Sequence, residues 1–278
     1  MVIRGVLNKT IDTLKNAGIE NAVFEANLII KTVFELSPID VVLSYNKTAP
    51  DALAKKAAEY AECRASGEPL QYILGVWEFM GLEFLVSPDV LIPRSDTETL
   101  AEAVLSRKGG MNLLDICSGS GCIALSIAHY NKSTYALGLD ISPDAVELSK
   151  KNAKKLGLDN RVRFERADIM SDIPHGVFDV IVSNPPYIRR DVIGTLQAEV
   201  RLHEPHLALD GGEDGLDFYR RILDIAPRLL NENGELFLEI GFDQANDVTA
   251  LMQASFSDIS VIKDLCGNDR VARGRKIL

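Results

Sequence analysis

The sequence predicts an α/β protein: a doubly wound sheet preceded by a helical bundle and a β-hairpin linker. Three observations carry this. From about residue 94 onward, short apolar runs alternate with helix-like segments, the pattern of strands joined by helical crossovers. One of these runs is followed by a glycine-rich turn and an apolar helix start, the entry to a nucleotide-binding βα unit. Residues 1–75 carry apolar side chains at helical spacing instead.

Within the N-terminal segment, Ile11, Leu14, Ile19, Val23, Phe24, Ala26, Leu28, Ile29 and Val33 recur near helical spacing, with Gly18 and Ser37-Pro38 as breaks. An Ala-rich helix is expected from Asp51, as N-cap, to about Ala65. Trp77 to Val86, with β-type residues around Gly81, reads as a hairpin linker. Arg94 and Glu98 stand one helical turn apart at the expected start of a helix; the spacing fits a surface ion pair or a paired site function equally well. Met111 to Ile116 is a buried strand, Cys117-Ser118-Gly119-Ser120-Gly121 the turn, and Cys122 to Ala128 a buried helix start. Thr134 to Leu139 and Val162 to Glu165 are the next strands. Phe178 to Ser183 is a further strand, stopped by Asn184-Pro185-Pro186-Tyr187 because two prolines cannot donate to a ladder. The basic stretch Val271 to Leu278 closes the sheet near its edge. The expected division is 1–75 helical domain, 76–93 hairpin linker and 94–278 catalytic domain.

The acids give the chemistry. Asp115 stands at the end of one strand, Asp140 closes the next and Asp168 follows the third, so all three line one carboxyl edge of the sheet, where ligands bind. Asp140 suits a bidentate grip on ribose hydroxyls, and Asp168 can reach an adenine amino group. A phosphorylated cofactor would want bare N–H groups and basic neighbours instead. S-adenosyl-L-methionine has no phosphate and carries a sulfonium and an ammonium, which Asp115 complements. Asn-Pro-Pro-Tyr by itself also fits a plain turn. Read as a site, it is a rigid corner presenting acceptors and a ring to one planar NH2 group.

Composition bounds the rest. The chain has 278 residues, 46% of them hydrophobic, and a net charge of −10. No apolar run approaches a membrane span, and the N-terminus lacks the features of a signal peptide. Cys63, Cys117, Cys122 and Cys266 show neither a C-x-x-C pair nor zinc spacing and read as free thiols in a reducing cytoplasm. His203 and His206 flank Glu204-Pro205, which is not the H-E-x-x-H helix of a metal site, and no metal is expected. The acidic balance opposes nucleic acid and favours a basic protein partner. A monomer is the default in the absence of a coiled-coil pattern.

Several blocks occur in a fixed order: Gln71-Tyr72-Ile73-Leu74-Gly75, Leu91 to Glu98 with its Pro93-Arg94 and Thr97-Glu98, Asp-x-x-x-Gly-x-Gly from Asp115, Asn184 to Ile188, Glu204 to Leu209, Asp210 to Leu216, and Asp264 to Arg270. Together they resemble the HemK/PrmC family of protein-(glutamine-N5) methyltransferases acting on class 1 peptide-chain release factors, over nearly the whole chain. The resemblance implies a class I S-adenosylmethionine-dependent methyltransferase fold, S-adenosyl-L-homocysteine as product, and a helical domain that docks the protein substrate. It implies a cofactor site of Asp115, Cys117, Ser118, Gly119, Ser120, Gly121, Asp140, Asp168, Ile169 and Asn184. The substrate site is then Asn184, Pro185, Pro186 and Tyr187, with Arg94 and Glu98 shaping the mouth, and Glu204 in support. Three positions depart from the family pattern: Cys117 replaces the first glycine of the turn, Ser95 a common proline, and Ile169 an aromatic, so that an aliphatic group would cover adenine. Competing readings are glutamine methylation of another translation protein, adenine-N6 methylation of nucleic acid, and a non-catalytic adaptor. A dehydrogenase is disfavoured by the missing G-x-G-x-x-G.

Overall fold

The computed structural model describes residues 1–277, the Pro38 side chain excepted, and divides into two compact units. The first comprises residues 1–75 and 198–203. Its helices are α1 (Ile3–Asn16), α2 (Ala22–Val33), α3 (Pro38–Leu43), α4 (Asp51–Ala65) and α5 (Leu70–Leu74). Burial of Ile3, Val6, Leu7, Thr10 and Leu14 along one face of α1 follows the 3.6-residue period. Ile3, Val6, Leu7 and Leu14 share a core with Ala26, Ile29 and Ile30 of α2 and Ala57 and Ala61 of α4. Ser37 caps α3, its hydroxyl accepting from the Asp40 N–H at 3.2 Å.

Two expectations change here. Asp51 is the first residue of α4 and not its cap; Pro50 takes the capping position without a side-chain hydrogen bond. Val23 and Phe24 face solvent at the start of α2, at 52% and 61% exposure, because the buried stripe runs through Ala22, Ala26, Ile29 and Ile30.

The second unit holds residues 76–197 and 204–277 of the described chain. It opens with a hairpin, β1 (Val76–Phe79) and β2 (Leu82–Leu85). Met80 and Gly81 form its two-residue turn with φ of 53° and 69°, the doubly left-handed geometry that matches strand twist. The hairpin is not a separate linker: Phe79 and Phe84 are buried in an apolar cluster with Leu100, Val104 and Ile123, so it groups with the catalytic unit.

There follow α6 (Glu98–Leu105), β3 (Asn112–Ile116), α7 (Cys122–Tyr130), β4 (Tyr135–Asp140), α8 (Pro143–Lys155), β5 (Val162–Arg166) and β6 (Phe178–Ser183). The chain continues through α9 (Arg190–Ile193), α10 (Ala198–His203, grouped with the first unit), α11 (Asp217–Leu229), β7 (Leu230–Glu239), α12 (Ala245–Met252), β8 (Phe256–Lys263) and β9 (Asp269–Lys276). Seven strands form one sheet in the order β5-β4-β3-β6-β7-β9-β8. The first five are parallel; β9 runs antiparallel to β7, and β8 antiparallel to β9. The final strand expected over Val271–Leu278 is β9, next to the edge strand; Leu278 lies outside the described residues.

Alternation explains the two apolar faces. Leu113, Val180 and Val182 point into one cluster with α6 and α7, whereas Leu114, Ile116 and Ile181 point into the other with α11. Strand order reverses between β3 and β6, which makes their carboxyl ends the place where a crevice opens.

Candidate active site

The glycine-rich turn sits between β3 and α7. Asp115, at 0% exposure, accepts from the Ala124 N–H at 3.3 Å through Oδ2, while its Oδ1 has no partner among the described residues. Burial, first, and the neighbouring Asp140 charge push its pKa up to about 8. A buried carboxyl oxygen left without a donor calls for a partner from outside the chain, and a cation is one that suits it. Gly119 and Gly121 adopt φ of 54° and 78°, and a Cβ on Gly121 would lie 2.6 Å from the Phe164 ring. Cys117 shares the left-handed conformation at φ 60°, which accounts for a glycine being usual there. Burial and the charges of Asp140 and Asp115 hold its thiol well above the ordinary range, so it stays protonated. Ser118 and Ser120 are buried within the same turn.

Asp140 ends β4 with Oδ2 accepting from Gly119 N–H at 2.8 Å and Oδ1 from Ser142 N–H at 2.9 Å. It thus ties the turn to the next strand and keeps lone pairs for a diol. Asp168 closes its own turn, accepting from the Met170 N–H and the Ser171 hydroxyl at 3.0 and 3.2 Å. Ile169 differs from the expectation: at 5% exposure it packs in the apolar cluster with Leu139 and Phe178, so its side chain does not offer a cover for adenine. Ile141, directly after Asp140, is 37% exposed. Orphaned acid, paired acid and glycine cradle together fit the chemistry of S-adenosylmethionine.

The second half of the site is the Asn184 corner. Pairing of Ile116 with Ser183 sets Asn184 beside the end of the strand that carries Asp115. The Asn184 amide donates from Nδ2 to the Thr97 hydroxyl at 3.2 Å. Pro185 and Pro186 are buried. The Tyr187 carbonyl accepts from Gln244 Nε2 at 3.0 Å, and burial pushes the Tyr187 hydroxyl up to about 12. Behind the corner, Ile188 N–H donates to the Leu209 carbonyl at 3.0 Å, and Gly211 N–H to the Ile188 carbonyl at 2.8 Å. A Cβ on Gly211 would come within 2.8 Å of the Tyr187 backbone, which explains glycine at this position of the Asp210–Leu216 block.

Arg94 and Glu98 are not paired. Arg94 is extended ahead of a short 3-10 turn, Ser95–Thr97, and its guanidinium is ion-paired with the buried Glu204. Glu98 begins α6 and accepts from the Met80 N–H at 2.7 Å, anchoring the hairpin turn. The expected mouth pair is therefore two separate contacts, and Glu204 supports Arg94 directly.

Four further residues complete the surroundings, and Thr97 and Arg270 among them lie in the ordered blocks of the sequence. Thr97 touches Asn184. Glu239, 2% exposed at the end of β7, has a pKa pushed up to about 7 by burial, drawn back by a hydrogen bond from Thr97 and by Arg270. Asn152, a fully buried Asn within the Lys-rich α8, donates to the Ser120 carbonyl at 3.0 Å and pairs with both backbone groups of Leu85. Arg270 pairs with Asp264 and Asp96, each at 3.1 Å. Among the described residues no group of three or more His, Cys, Asp or Glu could hold a metal ion, and all four cysteines are free. None of the helices described is long and apolar enough to cross a membrane.

Comparison with known proteins places this geometry. Residues 5–75 match the PrmC N-terminal domain and residues 107–268 the Methyltransferase domain family. The chain is 43% identical over 271 residues to the release factor glutamine methyltransferase of Agrobacterium fabrum, covering 95% of this chain and 93% of that protein. It is 42% identical over 276 residues to the protein of the same name from Geobacter sulfurreducens, covering 98% and 96%. In fold it is similar to a crystal structure of a methyltransferase from Pyrococcus furiosus, with TM-score 0.55 and 20% identity over 72% of this chain and 91% of that one. A glycine turn between acids, an Asn-Pro-Pro-Tyr corner on the adjacent strand and full-length similarity at this level agree: the chain belongs to the release factor glutamine methyltransferase family.

Proposed function

We propose that this protein transfers the methyl group of S-adenosyl-L-methionine to the side-chain amide nitrogen, N5, of the glutamine in the Gly-Gly-Gln motif of class 1 peptide-chain release factors, in the cytoplasm. The observation that carries the reading is the placement of Asn184 on the strand next to Asp115, so that an amide grip and a cation-binding acid share one sheet edge.

S-adenosylmethionine supplies a methyl group activated by its sulfonium. Asp115 holds the adjacent positive charge, Asp140 the ribose hydroxyls, Asp168 and Ile141 the adenine, and the backbone of Cys117 to Gly121 wraps the remainder. An amide nitrogen is a poor nucleophile because its lone pair is delocalised into the carbonyl. Asn184 Oδ1 and the Pro185 carbonyl accept the two N–H bonds of the substrate amide, and Tyr187 packs against its plane. Catalysis is then positioning for in-line transfer, with no covalent enzyme intermediate. As nitrogen gains the methyl it loses one proton, which leaves late, to solvent. Loss of the grip in Asn184→Ala should slow transfer by about 100-fold or more. The first unit docks the release factor, a role supported by the match to the PrmC N-terminal domain and by its exposed Phe24, Ile39 and Leu43.

The test is transfer of labelled methyl from S-adenosylmethionine to a purified, unmethylated class 1 release factor, beside a copy whose Gly-Gly-Gln glutamine is changed to alanine. Label on the first alone supports the reading. Label on neither, with cofactor binding intact, overturns it in favour of another protein substrate or a nucleic acid.

A further inference from the structure

The amide grip depends on which end of the Asn184 side chain faces the substrate. A carboxamide is nearly symmetric in shape but presents acceptors at one end and donors at the other. With Oδ1 toward the pocket it accepts a substrate N–H; turned over, it opposes NH2 to NH2. Nothing in the corner itself decides between the two, so the choice is made by what lies behind it.

Behind it lies a chain of two groups. Asn184 Nδ2 donates to the Thr97 hydroxyl at 3.2 Å, and Thr97 is 2% exposed. The pairing of Ser183 with Leu238 makes Asn184 and Glu239 the next residues on neighbouring strands, and Glu239 is also 2% exposed. Burial pushes the Glu239 pKa up and the Thr97 hydroxyl draws it back. Thr97 has one proton to give. If it goes to Glu239, the oxygen of Thr97 is left as an acceptor and Asn184 must meet it with NH2. A turned amide would need that proton for its own Oδ1, and Glu239 would lose its donor in a buried site. Its other oxygen, Oε2, already has no hydrogen-bond partner among the described residues.

We infer that Thr97 and Glu239 are positioning residues that set the polarity of the Asn184 amide, Glu239 taking the single Thr97 proton so that Thr97 can only accept. The inference rests on the glutamine methyltransferase reading. Neither residue touches substrate. Thr97 acts through Asn184, and Glu239 acts through Thr97. The short turn that carries Thr97 leads directly into α6, whose Leu100, Ala101 and Val104 are buried against the sheet, so the hydroxyl is held on a rigid element.

The experiment is a kinetic cycle on the full chain with a release factor as methyl acceptor. Thr97→Val keeps the shape and removes the hydroxyl; it should lower kcat at least tenfold with the cofactor Kd, read by calorimetry, changed less than twofold. Thr97→Ser should recover most of that loss. In an Asn184→Ala background, Thr97→Val should cost no further rate, because the group it orients is gone. Glu239→Gln, which can donate to Thr97 and free its proton to turn, should lose part of the rate. Thr97→Ala stands in should the valine variant not fold, as judged by its thermal transition. Wild-type turnover with kcat of Thr97→Val or Thr97→Ala within twofold, or an equal loss in the Asn184→Ala background, overturns the positioning role. Full rate in Glu239→Gln removes Glu239 from it. Absence of transfer by the wild-type protein would instead refute the substrate assignment.

Discussion

Asp115 combines full burial with an oxygen that no donor reaches, and the combination has measurable consequences. Its pKa of about 8 lies above the ordinary carboxylate value, so the fold holds the proton more tightly than the unfolded chain does. Stability from this group is therefore present at low pH and declines as pH rises from the ordinary value of 3.8 towards 8. Cofactor binding has the opposite slope, because a cation selects the carboxylate. Affinity for S-adenosylmethionine should rise with pH between about 6 and 8, by up to about tenfold per unit, and level off above that. Asp115→Asn should abolish this slope, weaken binding and raise the thermal midpoint of the free protein at neutral pH. Calorimetric titrations and melting curves across that range check both signs. The acid itself was legible from its place before a glycine turn. Its missing partner was not, since burial depends on α7 and β4 closing over it.

At the scale of elements, the segment 204–216 explains why two blocks distant from the corner accompany it. Leu209 and Gly211 exchange backbone hydrogen bonds with Ile188, and Gly215, at φ 77°, has the Tyr187 carbonyl 2.5 Å from where a Cβ would stand. The corner is braced by backbone, which glycine alone permits at that approach. Gly211→Ala should force the Tyr187 backbone away and lower kcat about tenfold or more, with a stability loss of about 1–3 kcal/mol from overpacking. Cofactor affinity should be spared, since the turn after β3 is not involved. Single-turnover kinetics beside a denaturation curve separate the two effects. The hairpin gives a second instance. Its strands and its Met80-Gly81 turn follow from local pattern, whereas the anchoring of that turn by Glu98 and by the Tyr130 hydroxyl, at 2.7 and 2.6 Å, joins residues no local pattern connects.

For the whole molecule, each unit has its own apolar core, and the chemistry lies within the second. The first unit buries Arg64 between Glu25 and Glu199, at 2.6 and 2.9 Å, which fixes Ala198–His203 to it although that segment is far along the chain. Its surface keeps Phe24, Val42 and Leu43 at 61%, 58% and 71% exposure. If this unit docks the release factor, Phe24→Ser combined with Leu43→Ser should raise KM for the release factor several-fold. The kcat, the cofactor Kd and the thermal midpoint should stay near wild type, because exposed side chains contribute little to stability. Steady-state kinetics at saturating cofactor check this. The net charge of −10 adds that duplex DNA should not compete with the protein substrate.

The doubly wound class, the glycine-rich turn, the strand-end acids at Asp115 and Asp140 and the Asn184 corner were legible along the chain alone. Each is a run of consecutive residues in which backbone constraint and ligand chemistry coincide, so order along the chain suffices. Folding was needed to show that Arg94 pairs with Glu204, 110 residues away, and that Asn184 rests on Thr97, 87 residues away. It also turned Ile169 into the core and gave Glu98 to the hairpin. The physical reason is common to these cases. A side chain's partner is set by which strand ends and loops the sheet order brings together, and no spacing in the sequence encodes that adjacency.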